Sequence, residues 1–125
     1  MNRTTHRFQF SGRQISDAAT REAEQREERV AWWTTEYERA VVEAKEAGVT
    51  VREYDVTGGK RAAIGIDTRL TARVDEAYAK RRAHQEKADQ YRIEAASYGT
   101  QPDRTYELDS DDVMHWRLAG GARDD

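Results

Sequence analysis

Residues 48–67, GVTVREYDVTGGKRAAIGID, decide the fold that the sequence predicts. β-branched residues alternate with polar ones on both sides of Gly58-Gly59, which is typical of half-buried strands. Two adjacent glycines accept the positive φ angles of a tight turn. Centring the turn there pairs Val51 with Ile66 and places most apolar residues on one face. The stretch therefore predicts a β-hairpin, and because an isolated hairpin is marginally stable in water, we expect its apolar face to be covered.

Long helical segments flank this hairpin on both sides. Residues 14–47 and 68–98 each carry small or apolar residues at alternating steps of four and three, which is the heptad pattern of a coiled coil. Ser16 and Asp17 are candidate N-caps of the first helix, and Gly48 is its expected stop. The sequence therefore predicts two helices of nearly equal length, one on each side of the hairpin.

The heptads also predict which residues of the two helices face each other. Because the chain reverses at the hairpin, the helices run antiparallel, with Arg26 opposite Tyr91 and Trp33 opposite His84. A guanidinium in that position can lie on the tyrosine ring. Alanine occupies many of the heptad positions, so the two helices bury little apolar area against each other. We therefore expect further packing from the terminal segments or from a second chain.

Both ends of the chain contain short segments with strand or helix character. HRFQF (6–10) and RTYEL (104–108) alternate polar and apolar residues, and we expect these two strands to pair as a small sheet. A short helix is predicted over 110–118, with Ser110 as its N-cap and Gly120-Gly121 after its end.

The predicted fold class is mainly α with a small amount of β. It is an antiparallel helical (coiled-coil) hairpin with a β-hairpin at the tip and short terminal strand and helix segments at the other end. We expect a single domain over residues 1–125. Its segments in chain order are an N-terminal basic strand segment (1–13), helix one (14–47), the β-hairpin (48–67), helix two (68–98) and a tail with a short strand and a short helix (99–125).

Composition limits the classes of function. Charged residues make up 36% of the chain and hydrophobic residues 37%, which suits exposed helices better than a thick globular core. The net charge of −3 gives no overall attraction to nucleic acid or to an anionic membrane. Cysteine is absent, and neither a signal peptide nor a membrane-spanning stretch is evident, so we expect a cytoplasmic protein. Arginine outnumbers lysine and alanine is abundant, and we expect a bacterial or phage source.

No motif in the sequence predicts catalysis. His6, His84 and His115 have no metal-ligand neighbour at helical spacing. The run from Gly58 to Arg61 lacks the spacing of a phosphate-binding P-loop, and we interpret it as a solvated turn. Asp111 and the acidic residue after it suit the start of a short helix better than a calcium loop. The sequence therefore predicts a non-enzymatic protein with no catalytic residue, no cofactor, no bound metal and no small-molecule substrate.

The leading hypothesis is a structural or interaction protein that forms a homo-oligomer. Two features favour self-association: the hairpin needs to be covered, and the interface between the two helices is small. Trp32 and Trp33 point about 100° apart on a helix, so Trp33 enters the helical interface and Trp32 covers the termini or a protein partner. We take Trp32 and Trp116 as candidate partner-binding residues. The candidate oligomer-interface residues are Val41, Val49, Val51, Ile64, Ile66, Val74 and Tyr78.

Two alternative functions remain open. The first is a nucleic-acid-associated regulator that binds through the arginine-rich N-terminus and the hairpin tip. The second is an acidic inhibitor, similar to an antitoxin, whose first helix and acidic tail occupy a basic site on a partner protein. The candidate nucleic-acid-binding residues are Arg3, Arg7, Arg13, Arg52, Lys60 and Arg61.

Overall fold

The computed structural model describes residues 7–49 and 68–118. Its two long helices pack antiparallel, and two short strands form one antiparallel sheet. The prediction of a mainly helical fold with a small sheet is confirmed, whereas the β-hairpin predicted over 48–67 lies almost entirely outside the described residues. The elements in chain order are β1 (Phe8–Ser11), α1 (Gly12–Glu46), α2 (Thr68–Gly99), β2 (Thr105–Leu108) and α3 (Ser110–Trp116).

The chain divides into two compact units, and each long helix contributes to both. The first unit comprises Met1–Gln25 and Lys87–Asp125, and the second comprises Arg26–Glu86. Each unit has a separate cluster of buried apolar side chains.

The core of the first unit combines helical alanines with larger side chains from the terminal elements. The sheet pairs Phe8 with Leu108 and Phe10 with Tyr106, as expected when the apolar residues of both strands share a face. The predicted pairing of these two segments is therefore confirmed. The buried residues of this core are Phe10, Ile15, Ala18, Ala19, Ala23, Tyr91, Ala95, Leu108, Val113, Trp116 and Leu118.

Among the described residues, the buried cluster of the second unit has fewer members than that of the first. Ala40, Val41 and Ala44 of α1 are buried with Val74 of α2. Three half-buried residues pack against this cluster, namely Tyr37, Val49 and Leu70.

Helix α1 begins earlier than predicted, at a capping box formed by Ser11 and Gln14. The backbone N–H of Ser11 donates to Gln14 Oε1 over 2.8 Å, and the N–H of Gln14 donates to Ser11 Oγ over 3.1 Å. The prediction of Ser16 or Asp17 as the N-cap is therefore wrong. The hydroxyl of Ser16 instead donates to the backbone carbonyl of Ala95 at 2.8 Å.

The end of α1 agrees with the predicted stop at Gly48. This glycine has a φ of 77°, and its N–H donates to the carbonyl of Lys45 at 3.0 Å. The N–H of Val49 donates to the carbonyl of Ala44 at 2.8 Å, which completes the hydrogen bonds of a Schellman motif. The side chain of Val49 packs against the core of the second unit, so this helix end is fixed by backbone and apolar contacts together.

Helix α3 has a different cap and a different end from those predicted. Its N-cap is Asp109, whose carboxylate accepts from the N–H of Asp112 at 2.9 Å, so the prediction of Ser110 as the cap is wrong. Arg117 follows the helix in the left-handed region, with a φ of 51°. The N–H of Leu118 then donates to the carbonyl of Val113 at 3.0 Å, and Leu118 enters the core.

Gly12 lies where the start of α1 meets the segment that joins α2 to β2. Its N–H donates to the carbonyl of Arg104 at 2.8 Å. A Cβ atom at this position would overlap the carbonyl oxygen of Gln101 and lie 2.6 Å from that of Tyr98. Only a residue without a side chain fits there unless the backbone moves.

We expect Gly12→Ala to destabilise the protein by about 1–3 kcal/mol, because the new methyl group meets backbone atoms that cannot rotate away. Urea unfolding measures the change. Gly99→Ala is the matched control, since its Cβ would lie 3.2 Å from the side-chain hydroxyl of Ser16 and not against backbone atoms, and we expect a change below about 1 kcal/mol there. Equal effects of the two substitutions would contradict the packing described at Gly12.

Candidate partner-binding surface

Four of the seven predicted oligomer-interface residues lie in the described part of the chain. Val41, Val74 and Tyr78 are buried, and Val49 is half-buried against the same core. The second unit therefore covers these four side chains, wholly or in part, with its own residues. A role for these residues in an oligomer stays a prediction, and the remaining three lie outside the described residues, namely Val51, Ile64 and Ile66.

Trp32 is the bulkiest exposed apolar side chain in the described ranges. It is 53% exposed, whereas the neighbouring Trp33 is half-buried. Consecutive helical residues point about 100° apart, so the two rings cannot enter the same interface. Their centroids lie 4.7 Å apart at an interplanar angle of 88°, which is an edge-to-face contact. The contact with Trp33 thus covers part of the Trp32 ring and leaves much of it accessible.

Polar groups surround Trp32 on α1. Glu36 lies one turn after Trp32, and its carboxylate accepts from Arg39 Nη1 at 3.1 Å. Thr35 is exposed, and its hydroxyl donates to the carbonyl of Ala31 at 3.3 Å. An aromatic side chain within a polar rim is the usual arrangement of a protein–protein contact surface.

Trp116, the other predicted partner-binding residue, is part of the core of the first unit. Its indole N–H donates to Glu94 Oε1 at 2.8 Å, and its ring makes an edge-to-face contact with Tyr98 at 5.3 Å. Because only 5% of the residue is exposed, little of its surface is available to a partner.

Glu94 joins α2 to α3 through several hydrogen bonds. Besides the Trp116 indole, its carboxylate accepts from His115 Nε2 at 2.9 Å and from Gln90 Nε2 at 2.7 Å. The Tyr91 hydroxyl donates to the carbonyl of His115 at 2.9 Å, and the two rings stack. Burial alone would raise the pKa of Glu94, but the hydrogen bonds from Gln90, His115 and Trp116, with the His115 charge, lower it below 4.5.

We expect Glu94→Gln to destabilise the protein by about 1–3 kcal/mol at pH 7, because hydrogen bonds to a charged acceptor are lost. Because the pKa of Glu94 is lowered in the folded state, its carboxylate stabilises the protein at pH values above 4.5, the ordinary pKa of the group. That stabilisation is lost as the pH falls through the lowered value, so the two proteins should converge in acid. Urea unfolding followed from pH 7 to pH 3 tests this.

The control for this measurement is Glu86→Gln. The Glu86 carboxylate pairs with Arg82 Nε at 3.4 Å, and its side chain is 69% exposed. We expect a change below about 0.5 kcal/mol at every pH. A difference between wild type and the Glu94 variant that does not depend on pH would contradict the role assigned to the charge.

Two of the predicted nucleic-acid-binding residues lie in the described part of the chain. Arg7 precedes β1 and is exposed. Arg13 lies in the first turn of α1, also exposed, with its Nη2 at 3.7 Å from Asp103 Oδ1, so an acidic group offsets its charge. The other four lie outside the described residues, namely Arg3, Arg52, Lys60 and Arg61.

Sequence analysis missed a contact between Arg26 and His84 in the second unit. Arg26 Nη1 lies 3.0 Å from His84 Nδ1. Burial lowers the pKa of His84 below 6.5, and the charges of Arg26, Arg29 and Lys80 lower it further. Heptad spacing did not predict this pair, because a long arginine side chain reaches residues well away from its own level on the helix.

We expect acid to weaken the second unit through His84. Because its pKa is lower in the folded state than its ordinary value of 6.5, the unfolded chain binds the proton more tightly. Stability should therefore fall as the pH decreases from above 6.5 towards the lowered pKa. NMR titration of the ring and urea unfolding at pH 7.5 and 5.5 measure both quantities.

The matched variant for this measurement is His84→Gln, which retains an acceptor for Arg26 and does not titrate. Its stability should change less than that of the wild type over the same pH range. A His84 titration midpoint at or above 6.5 in the wild type would contradict the environment described.

The described residues lack the features of a metal site and of a membrane-spanning helix. Over residues 7–49 and 68–118, no three histidine, aspartate or glutamate side chains are placed to hold a metal ion. Neither long helix has an apolar run of the length needed to cross a membrane, as far as it is described. Comparison of the chain with protein-family models, curated proteins and solved structures gave no match.

Proposed function

We propose that this protein is a non-enzymatic interaction protein that self-associates, with Trp32 in the contact surface. The observation that carries the proposal is the exposure of 53% of Trp32 beside a half-buried Trp33. Complete burial of a large apolar side chain is favourable by about 1.5–3 kcal/mol, and tryptophan is enriched among residues that dominate binding energy.

The small core of the second unit supports self-association. Alanines make up half of the four buried residues in its cluster, so the described residues of the unit bury little apolar surface among themselves. Contact with a second copy would cover further apolar surface, including the exposed part of Trp32. Marginal burial within one chain and an accessible aromatic ring both favour assembly.

The proposal includes the finer features that the sequence predicts. Helices α1 and α2 pack as a coiled coil, and residues 48–67 form a β-hairpin at their tip. The hairpin contributes Val51, Ile64 and Ile66 to the assembly. The protein acts in the cytoplasm of a bacterium or of a phage-infected cell.

We expect Trp32→Glu to abolish self-association, because a charged side chain replaces the ring in the contact. Light scattering behind a sizing column, over a dilution series, should show a mass that rises with concentration for the wild type. The variant should have the mass of one chain throughout. Circular dichroism verifies that its helices are retained, as expected for an exposed position.

Ile93→Glu provides the control. Ile93 is 64% exposed and belongs to the first unit, so the substitution adds the same charge away from Trp32. Its mass should follow that of the wild type. A wild type that has the mass of one chain at all concentrations would overturn self-association, and equal effects of the two substitutions would overturn the role of Trp32.

A further inference from the structure

Four nitrogen-bearing side chains gather on the two long helices within the second unit. Arg26 and Arg29 are three residues apart on α1, and Lys80 and His84 are four residues apart on α2. Both spacings place the two residues on one helix face. The contact of 3.0 Å between Arg26 Nη1 and His84 Nδ1 joins the two pairs across the helices.

The hydrogen-bonding roles in this cluster follow from the chemistry of arginine. A guanidinium only donates hydrogen bonds, so Nδ1 of His84 is the acceptor and the neutral ring carries its proton on Nε2. Lysine and arginine side chains have no acceptor atom. Every group that the cluster still offers to a ligand is therefore a donor. A complementary ligand carries acceptors, and a negative charge suits it best.

The local charges reinforce this conclusion. Beyond burial, the groups that lower the pKa of His84 are the cations Arg26, Arg29 and Lys80. Within the described ranges, neither Arg29 nor Lys80 has a carboxylate oxygen within 4 Å. Elsewhere on the same helices, by contrast, Arg82 pairs with Glu86 at 3.4 Å. Among the described residues, the cluster thus concentrates positive charge that ion pairs do not neutralise.

We propose that Arg26, Arg29, Lys80 and His84 form a binding site for a phosphate-type oxyanion. Arginine matches the oxygens of such a group with its planar fork, and lysine supplies a compact point charge. The His84 Nε2–H adds a directional donor beside them. Trp32 is three residues after Arg29 on the same helix face, and a Glu at position 32 would place a carboxylate beside the site. Phosphate binding is therefore measured in the chain with Trp32 intact, at a dilution where its mass is that of one chain.

Titration with inorganic phosphate at pH 7.5 and constant ionic strength, adjusted with sodium chloride, tests the site. NMR signals of the His84 ring should shift to saturation. Arg29→Gln with Lys80→Gln should weaken binding at least tenfold, and the loss of two nearby cations should raise the pKa of His84 towards 6.5. Both side chains are exposed, so the double variant should fold normally.

The control is Arg82→Gln, which removes one positive charge from the same helix outside the cluster, and its affinity should stay within about twofold of the wild type. An affinity that is unchanged in the double variant would overturn the site.

A short single-stranded oligonucleotide, titrated at two salt concentrations, identifies the source of the phosphoryl group. Salt-dependent binding that the double variant abolishes would support a polynucleotide ligand. Saturable binding of inorganic phosphate alone would support a free phosphate. Failure of both probes to bind would overturn the proposal.

Discussion

Packing against small buried alanines limits the stability that the two long helices supply by themselves. Ala19 and Ala23 are fully buried in the first unit, and Ala44 is fully buried in the second. Alanine permits close approach of a helix but removes little apolar area from water, and hydrophobic stabilisation scales with that area. Each unit therefore requires larger side chains beside its alanines.

The first unit obtains these side chains from both ends of the chain. Strand β1 supplies Phe10, β2 supplies Leu108, and the segment beginning with α3 supplies Trp116 and Leu118. Polar contacts fix the same elements in place, because Glu94 binds two side chains of α3. The terminal segments are thus part of the core of this unit. This agrees with the expectation that the terminal segments or a second chain add to the small apolar area buried between the helices.

The strongly periodic parts of the fold were predictable from the sequence. The long helices follow from their heptads, the paired strands from their alternation, and the end of α1 from Gly48. The caps were less predictable because several polar residues compete near each helix start. Ser11 and Gln14 form the capping box of α1, whereas the prediction names Ser16 and Asp17, which lie less than two turns further along the helix. Asp109 similarly caps α3 in preference to Ser110.

Side-chain pairing and the binding surface were predictable only in part. The heptads assign Trp33 to the helical interface and leave Trp32 outside it, but they do not show whether the termini cover Trp32, which the structure leaves 53% exposed. A long arginine reaches across helical turns, so the contact of Arg26 with His84 does not follow from heptad spacing. A fluorine NMR dilution series on protein labelled with 5-fluorotryptophan, with Trp32→Phe for assignment, measures the environment of Trp32 directly. We expect the fluorine signal of Trp32 to shift as the protein concentration rises. The difference between its positions in H2O and D2O should disappear, whereas the signal of the buried Trp116 should stay constant. A Trp32 signal that stays constant while the mass of the protein rises would show that another surface mediates assembly.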